Sequence, residues 1–367
     1  MSDSDSLVTL LDTLVAFSTV DGDDGAMSGC FHFLQAHLRQ NGMHIQNYEI
    51  NGYHSLVATT RDTKSPKVLL QAHLDVVPAK EEQFSLQVKG NKLYGRGVFD
   101  MKFAAAAFLR LAEDLGPNLS MYDFGIMLTS DEEVGGENGV KALLGKGYRA
   151  NVCILPDGGE DWQIEAGVRG IWFGKLIAHG KPAHGAHPWE GDNAIVKLVA
   201  TLNEIIPNFK NRPEDMGTLT LTGLSAGMAI NQGAGEAEAS FDIRTVDKGT
   251  LSKMENIVNK AAAKNGVEVE TVMLIQPFQN DLSNPYISSF MKIAADVIKK
   301  PVGTVSSNGS SDARFFNDVG IPCVLTRPTG GLSHSDDEWL SRTDFKSFYA
   351  VIKRYIEENA QIKSSAN

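Results

Sequence analysis

Short apolar runs that alternate with stretches of helical spacing constrain the fold of this chain most. Such runs cover residues 67–72, 124–130, 152–156 and 322–326, and a helical pattern covers residues 101–115. A strand that is apolar throughout is covered on both faces, as in parallel sheets whose strands are connected by helices. We therefore predict an α/β domain with a mostly parallel central sheet.

The middle of the chain has a different pattern. Residues 171–180, 218–224, 237–244 and 267–275 have the composition of strands, whereas residues 192–206 and 248–266 have helical spacing. Four strands and two helices in this order favour a small α+β domain of the ferredoxin-like kind. We predict that residues 1–169 and 283–367 form one domain and that residues 170–282 form a second domain inserted into it.

The charge balance argues against several classes of partner. The 34 Lys and Arg residues and 45 Asp and Glu residues give a net charge of −11, and basic residues do not form a run. Nucleic acid and anionic membranes are therefore not expected partners. The chain lacks an apolar stretch of about 18 residues, and its first residues lack the basic segment of a signal peptide. A cytoplasmic location is the expectation.

Imidazoles and acids follow the predicted strands. His73 and Asp75 end one strand and point to the same side of it, and the acids 131–133 follow the next. Open α/β sheets bind ligands at this edge. Alone, residues 131–133 could be a solvated loop and Asp100 a helix cap. Like charges at a buried edge need cations, and together with Asp157 and His334 these residues form a ligand set suited to borderline divalent metals such as zinc.

Six motifs occur in a fixed order along almost the whole chain: residues 72–75, 95–102, 131–133, 156–157, 180–184 and 332–334. Their sequences are Ala-His-Leu-Asp, Gly-Arg-Gly with Asp-Met-Lys, Asp-Glu-Glu, Pro-Asp, Gly-Lys-Pro-Ala-His and Leu-Ser-His. The chain thereby resembles the co-catalytic zinc amidohydrolases of the M20 metallopeptidase type. These include acetylornithine deacetylases, succinyl-diaminopimelate desuccinylases, carboxypeptidase G-like enzymes and carnosinase-like dipeptidases.

The resemblance implies a zinc-peptidase-like catalytic domain that holds two Zn²⁺ per subunit, with Co²⁺ or Mn²⁺ as substitutes. Its implied ligands are His73 and Asp157 for one metal, Glu133 and His334 for the other, and Asp100 as the bridge. Glu132 would be the general base. Asp75 would orient the imidazole of His73.

The inserted domain would be a dimerisation domain. By resemblance, His184 would reach the active site of a neighbouring subunit in a homodimer and bind the oxyanion of the reaction. Four further residues match substrate-binding positions of the family: Asn231, Arg244, Gly309 and Ser310. For Arg244, a surface position on a strand is an equally good interpretation of the sequence alone.

The expected reaction is the hydrolysis of an amide bond in a small dipeptide or N-acyl amino acid. Asp157 stands where the deacetylase and desuccinylase branches usually have Glu, and Asn231 lacks the neighbouring Ile-Pro, so we favour a dipeptidase. The main alternative is an N-acyl amino acid deacylase. A non-catalytic binding protein of the same fold should have lost Glu132 or a metal ligand, and none is missing. A mononuclear or magnesium-dependent hydrolase is a third possibility, but His73 and His334 favour zinc over the oxygen ligands that magnesium prefers.

Overall fold

The computed structural model describes residues 3–212, 214–307 and 311–362. The α-helices in these ranges are α1 (Asp3–Val15), α2 (Asp24–Gln40), α3 (Lys102–Leu115), α4 (Val140–Gly145), α5 (Ala194–Ile205), α6 (Lys248–Asn265), α7 (Pro285–Ile298), α8 (Ala313–Asp318) and α9 (Arg342–Asn359). None of the helices in the described ranges combines the length and the apolar character that a membrane span requires.

The β-strands are β1 (His44–Ile50), β2 (Tyr53–Thr59), β3 (Val68–His73), β4 (Gln87–Lys89), β5 (Lys92–Tyr94), β6 (Phe124–Thr129), β7 (Val152–Ile154), β8 (Ile164–Val168), β9 (Gly170–His179), β10 (Gly217–Ala226), β11 (Glu236–Thr245), β12 (Val267–Ile275), β13 (Phe278–Gln279), β14 (Thr304–Ser307), β15 (Cys323–Val324), β16 (Gly330–Gly331) and β17 (Trp339–Ser341).

The chain divides into two compact units. Of the described residues, unit 1 contains 3–166, 280–307 and 311–362, whereas unit 2 contains 167–212 and 214–279. The chain thus passes between the units at 166/167 and 279/280, slightly before the boundaries expected at 169/170 and 282/283. Each unit has its own hydrophobic core.

The central sheet of unit 1 has the strand order β1-β2-β6-β3-β7-β15. Strands β6, β3, β7 and β15 are parallel, and every residue of β3, β6 and β7 is buried. The α/β class is therefore confirmed. The sequence did not predict the antiparallel pair β1–β2, because β1 lies at the sheet edge and is mostly polar and exposed.

Helix α3 lies at the centre of unit 1 and packs against α1, α9 and β3. Its first residue, Lys102, is fully buried, and its ammonium group donates hydrogen bonds to the carbonyl oxygens of Leu14 (3.1 Å) and Phe17 (2.7 Å). A buried charge needs such partners. These bonds fix the start of α3 and, with it, the turn that carries Asp100.

A small antiparallel sheet in unit 1 joins two distant parts of the chain. Its strand order is β16-β17-β5-β4, and Trp339 of β17 lies opposite Tyr94 of β5. The turn after β5 leads to Asp100, and the loop between β16 and β17 contains His334. The sheet therefore holds these two segments side by side.

Unit 2 has a four-stranded antiparallel sheet of order β10-β11-β9-β12, against which α5 and α6 pack. Buried residues alternate with more exposed ones along β9 and β11. This alternation is typical of a sheet that is covered by helices on one face only. The chain order β-α-β-β-α-β is that of the predicted ferredoxin-like arrangement.

Candidate metal centre

Three adjacent parallel strands of unit 1 bring the candidate ligands to one edge of the sheet. His73 is the last residue of β3, Glu132 and Glu133 lie in a short turn after β6, and Asp157 follows β7. Strand β3 lies between β6 and β7. Because the carboxyl ends of parallel strands meet at the same edge, these residues converge although 84 positions separate the first from the last.

Asp100 and His334 complete the cluster from outside the large sheet. The candidate ligand atoms form two groups, His73 with Glu132 and Asp157, and Asp100 with Glu133 and His334, and within each group they lie within 4.8 Å of one another. The first group is the more buried one. The side chain of His334 is 51% exposed, so the cluster opens to solvent on that side.

Asp100 contacts both imidazoles. Its Oδ1 lies 3.4 Å from Nε2 of His73, and its Oδ2 lies 3.4 Å from Nε2 of His334. His334 Nε2 also lies 3.0 Å from Oε1 of Glu133. The two oxygens of one carboxylate therefore face two different groups of ligand atoms, as a bridging ligand requires.

The imidazole of His73 is oriented by Asp75. Its Nδ1 lies 3.0 Å from the backbone oxygen of Asp75 and 3.5 Å from Oδ1 of the same residue. A carbonyl oxygen only accepts hydrogen bonds, so Nδ1 is the donor. Nε2, which faces Asp100, is then the nitrogen available to a metal.

The consecutive acids 131–133 have different environments. Asp131 is fully buried, and its Oδ2 accepts the backbone N–H groups of Asn138 (2.7 Å) and Gly139 (2.9 Å). The backbone N–H of Glu133 donates to Oδ2 of Asp75 at 2.8 Å. Asp131 therefore holds the loop in place, whereas Glu132 and Glu133 each belong to one of the two ligand groups.

Burial and the charges of neighbouring carboxylates raise the pKa values of Glu132 and Asp157. Burial, followed by the charge of Asp157, raises the pKa of Glu132 well above its usual value. Burial, followed by the charge of Asp100, raises the pKa of Asp157 to about 6. Like charges that are removed from water thus oppose one another's ionisation.

Asp100 and the imidazoles show the opposite effect. Burial raises the pKa of Asp100, but hydrogen bonds from His334 and His73 outweigh it and lower the pKa. Hydrogen bonds to Asp100 and Glu133 raise the pKa of His334 to about 10. Burial lowers the pKa of His73, yet Asp100 and Asp75 together raise it well above its usual value. In the metal-free protein, the imidazolium groups of His73 and His334 neutralise part of the negative charge of the carboxylates.

The cluster fits divalent metal ions. Nε2 of His73 is buried, and its contact with Oδ1 of Asp100, at 3.4 Å, is too long for a strong hydrogen bond, so among the described residues this nitrogen lacks a close partner. Imidazole nitrogens and carboxylate oxygens together are ligands that zinc prefers. Metal binding would also relieve the repulsion between the carboxylates.

Glu338 is a site residue that the sequence analysis did not identify. Its buried carboxylate accepts hydrogen bonds from four donors: Arg96 Nη1 (2.7 Å), Gly97 N (3.1 Å), Phe99 N (2.9 Å) and Asp100 N (3.1 Å). It thus orients the turn that carries Asp100. Its only sequence signal was its position in an acidic run four residues after His334.

Arg327 is a second residue that the sequence did not indicate. Its Nη1 lies 3.7 Å from Oδ1 of Asp100 and 4.0 Å from Oδ1 of Asp157. Its guanidinium carbon lies 4.6 Å from the centre of the Phe99 ring. A permanent positive charge is therefore built into the cluster.

The remaining predicted residues lie in unit 2 or outside the described residues. His184 lines a cavity of about 240 Å³, and its Nδ1 accepts a hydrogen bond from the backbone N–H of Ala186. The carbonyl oxygen of Asn231 accepts the N–H of Gly185 at 2.8 Å. Gly309 and Ser310 lie outside the described residues.

Arg244 makes a bidentate salt bridge with a carboxylate on its own strand. Its Nε lies 2.7 Å from Oδ1 of Asp242, and its Nη2 lies 3.1 Å from Oδ2. Its guanidinium carbon also lies 5.2 Å from the centre of the Phe173 ring. Substrate binding by Arg244 stays a prediction, and it requires a substrate carboxylate to compete with Asp242 or to share the guanidinium.

The fold and the clustered ligands define a metallohydrolase. The protein family described as Peptidase family M20/M25/M40 matches residues 69–358, and the chain belongs to this family. This protein is therefore a hydrolase that acts on amide bonds. This membership confirms the resemblance that the six sequence motifs indicated.

Among curated relatives, two succinyl-diaminopimelate desuccinylases align with almost the whole chain. The protein from Sulfurovum sp. (strain NBC37-1) is 27% identical and covers 96% of this chain and 98% of its own. The protein from Methylorubrum populi is 28% identical, and the alignment covers 97% of this chain and 99% of that protein.

Solved structures share the fold. A tripeptidase from Staphylococcus aureus has a TM-score of 0.78 at 20% identity, covering 97% of this chain and 98% of its own. A dinuclear metal-binding peptidase of the M20 family from Bacillus subtilis has a TM-score of 0.68 at 16% identity, covering 98% and 99%. Human carnosine dipeptidase 1 has a TM-score of 0.67 at 16% identity, covering 98% and 97%.

The four-donor contact of Glu338 leads to a stability prediction. Glu338→Gln leaves the buried Arg96 without its counter-charge, so the free energy of unfolding should fall by roughly 3–5 kcal/mol. Urea denaturation of the metal-free protein measures this. Asp336→Asn is the control, because Asp336 pairs with Lys80 at an exposed position and should change stability little. Equally small losses in both variants would contradict the structural importance of Glu338.

Proposed function

We propose that this protein hydrolyses an amide bond in a small dipeptide or N-acyl amino acid at a dinuclear zinc site. The observation that carries this proposal is the pair of adjacent ligand groups with the two oxygens of Asp100 facing one group each. His73 and Asp157 would hold one metal, Glu133 and His334 the other, and Asp100 both. Co²⁺ or Mn²⁺ could replace zinc, since the same ligand types suit them.

When bound, such metals supply Lewis acidity, which polarises the scissile carbonyl and makes water a stronger acid. The chain's own residues provide the rest. Asp75 holds the imidazole of His73 with Nε2 directed at the site. Glu338 holds the turn of Asp100 through backbone N–H groups. These contacts keep the ligands in place before substrate arrives, so little reorganisation is needed during the reaction.

Glu132 would move the proton. It lies with His73 and Asp157 in the more buried of the two ligand groups. A carboxylate there can accept a proton from the attacking water and donate it to the leaving amine. The five residues assigned to the metals leave Glu132 free for this role.

Asp157 and the curated relatives favour different substrates. The family resemblance associates Asp at this position with branches that accept a free amino group near the scissile amide, which supports a dipeptide. The curated relatives are named succinyl-diaminopimelate desuccinylases, which supports an N-acyl amino acid as the second candidate. Both substrate classes end in a carboxylate that an arginine fork such as Arg244 can bind.

A homodimer is part of this proposal. Apolar side chains are exposed on α5 of unit 2, where Ile195, Val196 and Val199 are 39%, 64% and 47% exposed, and on β10, where Leu224 is 70% exposed. Exposed apolar patches of this kind are typical of protein interfaces. The proposal places His184 of one subunit at the metal site of the other, where it would bind the oxyanion.

The role of Glu132 is testable by one isosteric change. Glu132→Gln should retain two metals but lose about 10²–10⁴-fold in turnover, because an amide cannot accept the proton. Metal analysis and kcat report the two effects separately. Glu137→Gln, in the same loop but exposed and paired with Lys141, is the control and should stay active. If the Glu132→Gln protein bound only one metal, Glu132 would instead be identified as a metal ligand.

The substrate class is tested by kcat/KM for dipeptides and for matched N-acetyl and N-succinyl amino acids at identical metal loading. We expect the dipeptides to be preferred, because the acid at position 157 is the shorter one. A preference of tenfold or more for the acylated compounds, about 1.4 kcal/mol in transition-state binding, would reverse the assignment. Hydrolysis of none of these compounds would contradict the proposed activity.

Mixed dimers test the position of His184. His184→Ala and Glu132→Gln subunits should each be nearly inactive alone. A hybrid should regain activity, because one of its two sites then combines an intact Glu132 with an intact His184 from the partner. Activity of purified hybrids, verified by differential tagging, is the measurement. Hybrids without activity would contradict a contribution across the interface.

A further inference from the structure

Arg327 is held firmly beside the metal ligands of unit 1. Its backbone N–H donates to the carbonyl oxygen of Gly159 at 3.3 Å, and its carbonyl oxygen accepts the N–H of Trp162 at 3.0 Å. Its side chain is 12% exposed and lies against the buried Phe99 ring. The position of the guanidinium is therefore set by the surrounding fold.

The guanidinium has charge partners but few hydrogen bonds. Nη1 lies 3.7 Å from Asp100 and 4.0 Å from Asp157, and among the described residues neither Nη1 nor Nε, both of them buried, has a hydrogen-bond partner. Buried arginines that serve a structural role usually satisfy these donors. The attraction that keeps Arg327 here is thus mainly that of a cation to two nearby carboxylates.

Metal binding would reverse that attraction. Without a metal, the guanidinium offsets the repulsion among buried carboxylates. With a divalent cation on the same carboxylates, their charge is neutralised and two positive charges lie close together in a buried site, where screening is weak. Arg327 therefore stabilises the metal-free state relative to the metal-bound state, and by linkage it weakens metal binding.

The geometry makes this effect larger in one half of the centre than in the other. Arg327 lies near Oδ1 of Asp100, the oxygen that faces His73, whereas Oδ2 faces His334. Its other contact, Asp157, belongs to the group of His73.

We propose that the guanidinium of Arg327 is a built-in competitor of the metal at His73 and Asp157. It holds these carboxylates together in the metal-free protein and makes this metal the more weakly bound of the two. Arg327 is in this sense a positioning residue. The inference rests on the proposed dinuclear site, and it adds that the two metal positions are electrostatically unequal.

The test is a Zn²⁺ titration of metal-free protein against a competing chelator. R327M should bind one of the two zinc ions at least tenfold more tightly, equivalent to about 1.4 kcal/mol, and the second ion should be affected less. R327K keeps the charge and should remain close to the wild type. R149M is the control, because Arg149 is a partly buried arginine of the same unit that donates to the carbonyl oxygens of Leu144 and Tyr148. Weaker or unchanged zinc binding by R327M would overturn the proposal.

Thermal unfolding gives a second readout that is independent of activity. Metal-free R327M should melt at a lower temperature than metal-free wild type, and the difference should shrink or reverse with zinc. R327Q replaces R327M in both measurements if R327M does not fold without metal. An R327M protein that is equally destabilised with and without zinc would show a packing role and contradict the proposal.

Ligand variants separate this inference from the proposed function. In an H334A background the His73–Asp157 group remains, so R327M should still tighten zinc binding at least tenfold, whereas in an H73A background the tightening should be clearly smaller. Wild-type protein that binds fewer than two zinc ions would refute the dinuclear site itself. Two zinc ions in the wild type without tightening in R327M would refute the role of Arg327 alone.

Discussion

The repulsion among buried carboxylates is the constraint on which the rest of unit 1 depends. Asp100, Glu132 and Asp157 lie at a largely buried edge of the sheet, where the charge of Asp157 opposes the ionisation of Glu132 and the charge of Asp100 opposes that of Asp157. An arrangement of this kind is stable only if cations are present and if the backbone cannot relax. The imidazoles and Arg327 provide positive charge, and the fold provides the rigidity.

That rigidity comes from a second set of acids that bind no metal in this account. Asp75, Asp131 and Glu338 each accept backbone N–H groups of the loops that carry the ligands. A carboxylate that accepts several N–H groups is a strong and directional anchor. The site therefore contains two kinds of acid, one directed at the metal positions and one directed at the loops that hold them.

The sequence predicted most of this centre because its signals are local. Apolar runs marked β3, β6 and β7, and the acids and His73 at their ends followed from the geometry of parallel strands. Glu338 could not be found this way, because its partner Arg96 is 242 positions away in the chain. Arg327 was missed for the same reason, because its role depends on Asp100 and Asp157, which lie close to it only in the folded protein.

The substrate is harder to predict than the reaction. Metal ligands are identified by residue type and position, whereas specificity depends on pocket shape, in which one methylene group is worth only about 1–3 kcal/mol. Arg244 shows the difficulty. As a sequence feature it resembled a carboxylate-binding residue, yet the structure gives its guanidinium a carboxylate of the same strand, Asp242.

Anomalous X-ray diffraction from zinc-loaded crystals tests the central claim most directly. We expect two anomalous peaks per subunit, roughly 3.5–4 Å apart, with Asp100 between them. One peak should lie at His73 and Asp157 and the other at Glu133 and His334, with Glu132 bound to neither. A single peak, or a second peak that lacks Asp100 as a ligand, would contradict the dinuclear site.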